Sequence, residues 1–377
     1  MAPLVKALAK HNGIESVICV TGQHRSMLQQ VLDLFEVKPD YDLELMTQNQ
    51  TLNGLSARLL TSFDAVLEEV RPDRILVHGD TTTAMMSTLA AFHHRIAVGH
   101  VEAGLRTGDL SQPWPEEMNR RVIDVSSDFL FAPTASSKRN LQQENLRGRI
   151  VITGNTVIDA LLQTIDKISS DAVFREQLDA HFPYLNSDRK LLLVTGHRRE
   201  NFGAGFANIC DALAQLARRS DIQIVYPVHL NPNVQEPVLR SLSSLPNVHL
   251  IDPLDYAQFV RLMQRSHVIL TDSGGVQEEA PSLGKPVLVM RSVTERPEAV
   301  AAGTVKLVGT EAKHIVDSVN YFYDNEDAWS AFAQRKNPYG DGLASQRIIA
   351  ALTNAEAGQF MGPAAAPKEG NYSIKDV

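Results

Sequence analysis

The chain has 377 residues, 44% of them hydrophobic, and a formal net charge of −8. The length suits two domains of ordinary size, and the apolar fraction is that of a globular protein. The negative balance argues against a nucleic-acid partner and requires any anionic ligand to find a local cluster of positive charge.

No apolar run approaches the ~18 residues needed to cross a bilayer, and the first residues read as an amphipathic helix, not a secretory leader. Cys19 and Cys210 sit among apolar neighbours and read as reduced core thiols. The expected location is therefore cytoplasmic, with no membrane partner.

Residues 1–10 carry helical periodicity, with Pro3 in the first turn. Strands are predicted at 16–21, 40–46, 74–78, 96–101, 129–132 and 150–153. Helices are predicted at 27–35, 52–70, 84–93, from Pro115-Glu116 to about 126, and at 157–169. A polar connecting segment over 171–188 marks the change of domain. The pattern restarts with strands at 190–195, 222–228, 248–251, 268–271, 287–290 and 304–308, and helices at 206–218, 256–265 and about 343–353. Alternation of this kind specifies parallel sheets covered by helices on both faces. The predicted fold is α/β, with two doubly wound Rossmann-like domains and a cleft between them. Domain limits are set at 1–165 and 166–340, with a helix over 341–354 returning to the first domain and a flexible tail over 355–377.

The stretch from Val268 to Arg291 is the most informative. It reads strand, Ser273-Gly274-Gly275 turn, short helix, strand. Such a turn offers backbone N–H groups and a helix start to a phosphate, with Ser273 as N-cap. Gln277, Glu278 and Glu279 follow as acceptors suited to a ribose. The bland alternative, an ordinary strand–helix turn, has equal claim for Ser-Gly-Gly alone. In the first half, Asp80, Glu102 and Glu116 follow strands or enter a helix; three carboxylates on one cleft could exchange protons with a substrate. For Asp80, helix capping is the competing role, with Thr81, Thr82 and Thr83 behind it. The second half supplies cations in His197, Arg198, Arg199, His229, Arg291 and Arg296, and arginine suits a diphosphate because its fork donates paired bonds. No metal-ligand spacing, no Gly-x-x-x-x-Gly-Lys-Ser/Thr loop and no Gly-x-Gly-x-x-Gly fingerprint occurs. Neither a metal nor a cofactor is expected. These residues point to a nucleotide-sugar enzyme, and spacing alone stops there.

Several long motifs in order resemble, over nearly the whole chain, the non-hydrolysing UDP-N-acetylglucosamine 2-epimerases of bacteria. They are His78-Gly-Asp-Thr-Thr-Thr83, Gly99-His-Val-Glu-Ala-Gly-Leu-Arg-Thr-Gly108, Pro113-Trp-Pro-Glu-Glu117, Thr195-Gly-His-Arg-Arg-Glu200, Pro227-Val-His-Leu-Asn-Pro232, Thr271-Asp-Ser-Gly-Gly-Val-Gln-Glu-Glu-Ala280 and Thr294-Glu-Arg-Pro-Glu298. The resemblance implies reversible epimerisation at sugar C2 of UDP-GlcNAc to UDP-ManNAc by elimination and re-addition of UDP, for surface polysaccharide synthesis. It also implies a GT-B fold, a homodimer, and UDP-GlcNAc as both substrate and activator. Asp80, Glu102, Glu116 and His197 match catalytic positions. Ser273, Gly274, Gly275, Glu279, Arg296 and Phe259 match UDP contacts, and Gln23, Arg58, Arg199 and His229 resemble the activator site. A hydrolysing epimerase, a glycosyltransferase and a non-catalytic nucleotide-sugar binding protein are the alternatives. Family members also begin with a strand and a Gly-Thr-Arg-Pro-Glu loop that find no counterpart ahead of Met1, so an exposed apolar sheet edge is expected there.

Overall fold

The structure is a computed structural model that describes residues 1–22, 25–47, 50–356 and 358–363. The chain divides into two compact units, one of Met1–Ala160 with Tyr339–Gly362, the other running from Leu161 to Pro338. The division falls inside the helix Thr156–Ser170, ahead of the predicted 165/166 limit.

The first unit holds β1 (Cys19–Val20), β2 (Tyr41–Asp42), β3 (Arg74–His78), β4 (Ala97–Val101), β5 (Phe129–Ala132) and β6 (Arg149–Ile152). β3 to β6 form a parallel sheet in chain order, and among the described residues β1 and β2 pair only with each other. The strands predicted at 16–21 and 40–46 are thus two residues each. A cavity of about 890 Å³, lined by Val20, Phe63, Val66, Ile75 and Val77 among others, lies beside them. Pairing lengthens a strand only where a neighbour supplies ladder partners, and an isolated two-strand ribbon has few. β3 has no pairing partner on its side away from β4 among the described residues.

The second unit holds β7 (Lys190–Thr195), β8 (Ile222–Pro227), β9 (Val248–Ile251), β10 (Ser266–Thr271), β11 (Val287–Val289) and β12 (Lys306–Leu307). All run parallel, in the order β12-β11-β10-β7-β8-β9. Leu192, Val194, Ile224, Tyr226, Leu270 and Leu288 are fully buried in its core. From β7 the chain first builds outward through β8 and β9, then crosses back to place β10 on the other side. The loops after β7 and β10 therefore leave adjacent strand ends in opposite directions, and such a switch point opens a crevice for a ligand.

Two expectations need correction. The segment 171–188 contains the helix Ala172–Ala180, capped by Asp171, which accepts from Phe174 N at 2.9 Å. Its polarity concealed it because only Leu178 is buried while Asp179 binds Arg261 and Arg265. The 355–377 tail is not loose throughout: Phe360 is buried, and its N–H donates to Ile152 O at 2.9 Å. Residues 357 and 364–377 lie outside the described residues. The helix Ala344–Leu352 belongs to the first unit, where Ile348 and Ala351 pack with Leu4 and Leu8. Asp159 caps it, accepting from Ala344 N (3.2 Å) and Ser345 N (2.7 Å).

Candidate functional site

In the second unit, the loop after β7 carries His197 and Arg198, and the turn after β10 carries Ser273 and Gly274. A fully buried carboxylate, Asp272, joins them. It accepts from His197 N (3.1 and 3.0 Å), Arg198 N (2.9 Å) and Asn201 Nδ2 (3.2 Å). A Cβ on Gly274 would lie 3.5 Å from Arg198 Nη2 and 3.8 Å from Arg296 Nη2. Two guanidiniums thus flank the bare face of this glycine. Arg198 Nε is buried and has no hydrogen-bond partner among the described residues.

Ser273 occupies the N-cap position of the helix Gly274–Glu279, but its side chain makes no capping bond, contrary to expectation. Its own N–H donates to Thr271 Oγ1 (2.9 Å), which is paired with Thr195 Oγ1 (2.6 Å). The strand ends settle the local geometry, leaving the serine hydroxyl no capping duty. The three acceptors after the turn also separate. Gln277 takes a hydrogen bond from Thr294 Oγ1 (2.6 Å) and Glu278 pairs with Arg296 Nε; both secure the 294–296 segment. Glu279 alone faces elsewhere, accepting from Tyr256 Oη at 2.6 Å. Phe259 lies one helical turn beyond Tyr256 and is half-buried. Arg291 is turned inward to Glu200.

Burial, with the nearby Glu278 charge adding to it and the Tyr256 bond opposing, pushes the Glu279 carboxyl up to about 7. A carboxyl raised in the folded state holds its proton more tightly there than in the unfolded chain. The associated stability is fully present below about pH 4.5 and is lost as pH rises through about 7. Glu279→Gln is therefore expected to remove a decline on the order of 3 kcal/mol between pH 5 and pH 8. Urea unfolding across that range checks it; parallel pH profiles for both proteins would refute the assignment.

His197 and His229 stack, with ring centroids 5.5 Å apart and planes 16° from parallel. The family resemblance assigns the two to different sites, His197 to the catalytic positions and His229 to the activator site. Burial pulls the His197 imidazole below its usual value, against the opposing charge of Asp272. Arg199 is exposed on the following 3-10 turn.

In the first unit, β3 and β4 pair with His78 opposite Val101, so Gly79-Asp80 and Glu102 leave neighbouring strand ends. A Cβ on Gly79 would lie 3.4 Å from Glu102 Oε2. Glu102 adopts a left-handed backbone (φ 71°), which a side chain tolerates only under constraint. Here both Glu102 N and Ala103 N donate to Phe131 O (3.1 and 3.0 Å). Its carboxylate accepts from Asn155 Nδ2 (3.3 Å) and lies 3.6 Å from His78 Nε2. Burial keeps that imidazole well below its usual pKa.

Asp80 does not cap the helix Thr82–His93; Thr81 does, accepting from Ala84 N at 3.1 Å. The Asp80 carboxylate pairs with Arg120, and its carbonyl accepts from Asn119 Nδ2 (2.8 Å). Glu116 opens the helix Glu116–Ser126. Glu116, Asn119 and Arg120 fall at i, i+3 and i+4, on one helical face, so Glu116 lies on the face turned toward Asp80. Beneath it, fully buried Glu117 accepts from Thr107 N (3.1 Å), Gly108 N (3.2 Å) and Arg120 Nη1 (3.2 Å). His100, also fully buried, donates from Nε2 to Gly79 O (2.9 Å), and its Nδ1 lies 2.6 Å from Asp124 Oδ1. All three predicted carboxylates thus gather at one end of this sheet.

Arg58 donates to Leu45 O (3.3 Å) and to Gln50 Oε1 (2.5 Å), holding the segment before its own helix. Gln23 lies outside the described residues. The sequence assigns no role to Arg120, Glu117, Asn155 or Tyr256, and gives Arg198 only as one cation among several. Glu117, beside Glu116 in the quoted motif, and Arg120, four residues after Glu116, had a local signal. Among the described residues no group of three or more His, Cys, Asp or Glu side chains is placed to hold a metal ion, and no helix is long and apolar enough to cross a membrane.

Residues 6–353 match the family described as UDP-N-acetylglucosamine 2-epimerase. The enzyme of that name from Escherichia coli K12 is 57% identical over 356 residues, covering 94% of this chain and 95% of its own. The Yersinia pestis enzyme is 56% identical with the same coverage. The crystal structure of UDP-GlcNAc 2-epimerase from Neisseria meningitidis bound to UDP-GlcNAc superposes with a TM-score of 0.86 at 50% identity, covering 94% of this chain and 96% of that one. With parallel α/β sheets of the GT-B type and these motifs in place, the chain belongs to the UDP-N-acetylglucosamine 2-epimerase family of isomerases.

Proposed function

We propose that the chain interconverts UDP-GlcNAc and UDP-ManNAc by the non-hydrolysing route. The C2 proton is not adjacent to a carbonyl, so direct abstraction is unfavourable. Elimination avoids this: a carboxylate takes the C2 proton, a C1=C2 double bond forms, and the C1–O bond breaks to release UDP. Re-addition of UDP with a proton delivered to the opposite face of C2 gives the epimer. The departing diphosphate must be stabilised and retained. The pair of guanidiniums over Gly274, one with a buried Nε that has no acceptor among the described residues, is the observation that carries this reading. Arg296, Arg198, His197 and the Ser273-Gly274-Gly275 turn would hold the diphosphate, and Glu279 the ribose, with Phe259 near the uracil. Asp80, Glu102 and Glu116 would exchange the proton. NMR of UDP-GlcNAc incubated in deuterated water tests this. Deuterium at C2 with UDP-ManNAc formed is expected; free ManNAc with UDP would favour the hydrolysing reaction.

His229 stacked on His197, with Arg199 nearby in sequence, supports a second UDP-GlcNAc acting as activator beside the site. The reverse reaction from UDP-ManNAc alone would then lag until UDP-GlcNAc is added, and a hyperbolic rate without stimulation would exclude it. Exposed Phe92 and Val125, on two helices that pack together, support a homodimer; sedimentation showing a monomer at assay concentration would overturn it. We place the reaction in the cytoplasm, supplying surface polysaccharide synthesis. Unchanged polymer sugar composition in a deletion strain would refute that role.

A further inference from the structure

We propose that Asp272 is a positioning residue, which builds the anion grip of the second unit at the expense of its own electrostatics. The proposal rests on the reading that this unit holds the diphosphate of UDP. A fully buried carboxylate directly before the Ser273-Gly274 turn repels a diphosphate. Electrostatics alone would therefore favour a neutral residue here. The geometry accounts for the acid. Asp272 is the last residue before the turn, and β10 lies beside β7, so its carboxylate reaches the backbone of the loop that leaves β7. Both its oxygens are within 3.1 Å of His197 N, and Oδ2 also takes Arg198 N (2.9 Å) and Asn201 Nδ2 (3.2 Å).

Asn201 Nδ2 is shared with Met290 O (3.3 Å), tying the same loop to the end of β11. Three donors converging on one carboxylate leave the loop little freedom to pivot. That fixes where His197 and Arg198 emerge, and Arg198 Nη2 comes to lie over Gly274. An asparagine could present only one acceptor oxygen, and its amide N–H groups would face backbone N–H donors. A serine or alanine would leave His197 N and Arg198 N unpaired. The two effects of removing the charge thus have opposite signs for UDP: less repulsion tightens binding, and a displaced loop weakens it.

The test is Asp272→Asn, with UDP and uridine affinities measured by calorimetry on the full chain. Loss of bonds to a charged acceptor predicts UDP binding about 30-fold weaker with uridine nearly unaffected, because only UDP carries the diphosphate. UDP bound equally or more tightly by the variant would overturn the proposal. An equal loss for both ligands would show a general structural role and would also overturn it. A wild-type protein that binds no UDP would instead remove the underlying site reading. Should the variant fail to fold, hydrogen exchange on the wild-type protein decides. The His197 and Arg198 amides are expected to be protected in the ligand-free state, although both sit in a loop, and rapid exchange at either would refute the anchoring.

Discussion

Asp80→Asn and Glu102→Gln are each expected to lower kcat by about 10²- to 10⁴-fold, the usual worth of a positioned acid or base, with UDP affinity unchanged. The carboxylates lie in the first unit, and the residues proposed to grip UDP lie in the second. Both substitutions preserve shape. Asparagine keeps an oxygen for Arg120, and glutamine keeps one for Asn155 Nδ2, so the contacts that hold the neighbouring strand ends survive in part. Removing the base should leave UDP-GlcNAc unreacted. Removing the group that returns the proton should let UDP depart and the unsaturated sugar accumulate. Product analysis under single-turnover conditions therefore assigns the two roles. A parallel loss of kcat and of UDP affinity, or no loss of kcat, would contradict this division.

Arg296→Ala should produce two separable losses. Arg296 Nε pairs with Glu278, whose side chain is 5% exposed, and removing the guanidinium takes this positive charge away from a buried carboxylate. Breaking such a pair costs about 3–5 kcal/mol. The second loss is UDP affinity, because one of the two guanidiniums over Gly274 disappears. Arg296→Ala combined with Glu278→Gln separates them: the neutral partner should recover much of the stability but none of the UDP affinity. Urea unfolding and calorimetry read the two effects independently. If the double substitution restored UDP binding, Arg296 would be an internal counter-ion and no part of the grip.

These outcomes depend on different kinds of information in the chain. Strand–helix alternation is local: the apolar runs at 74–78, 96–101, 190–195, 222–228 and 268–271 were visible because each buried strand is continuous and bounded by turn residues. The helices Pro232–Leu242, Ala312–Asp324 and Glu326–Ala333 were missed. Pro237 inside the first masks a helical run, and the other two adjoin at Asn325, so their periods interrupt each other. The motifs that mark the family are contiguous stretches and could be read directly.

The partners of the site residues are another matter. The sequence by itself determined the parallel α/β class, the family and the turn on which the phosphate reading rests, all of which depend on residue types over short windows. Only the tertiary structure decided that Asp80 answers Arg120 and not a helix start, that Glu279 meets Tyr256 while Glu278 meets Arg296, and that Asp272 reaches back to the 197–201 loop. The physical reason is strand order. Residues distant in the chain meet where β3 lies beside β4 and β10 beside β7. That adjacency is set by how whole strands and helices bury their faces, which no local spacing records.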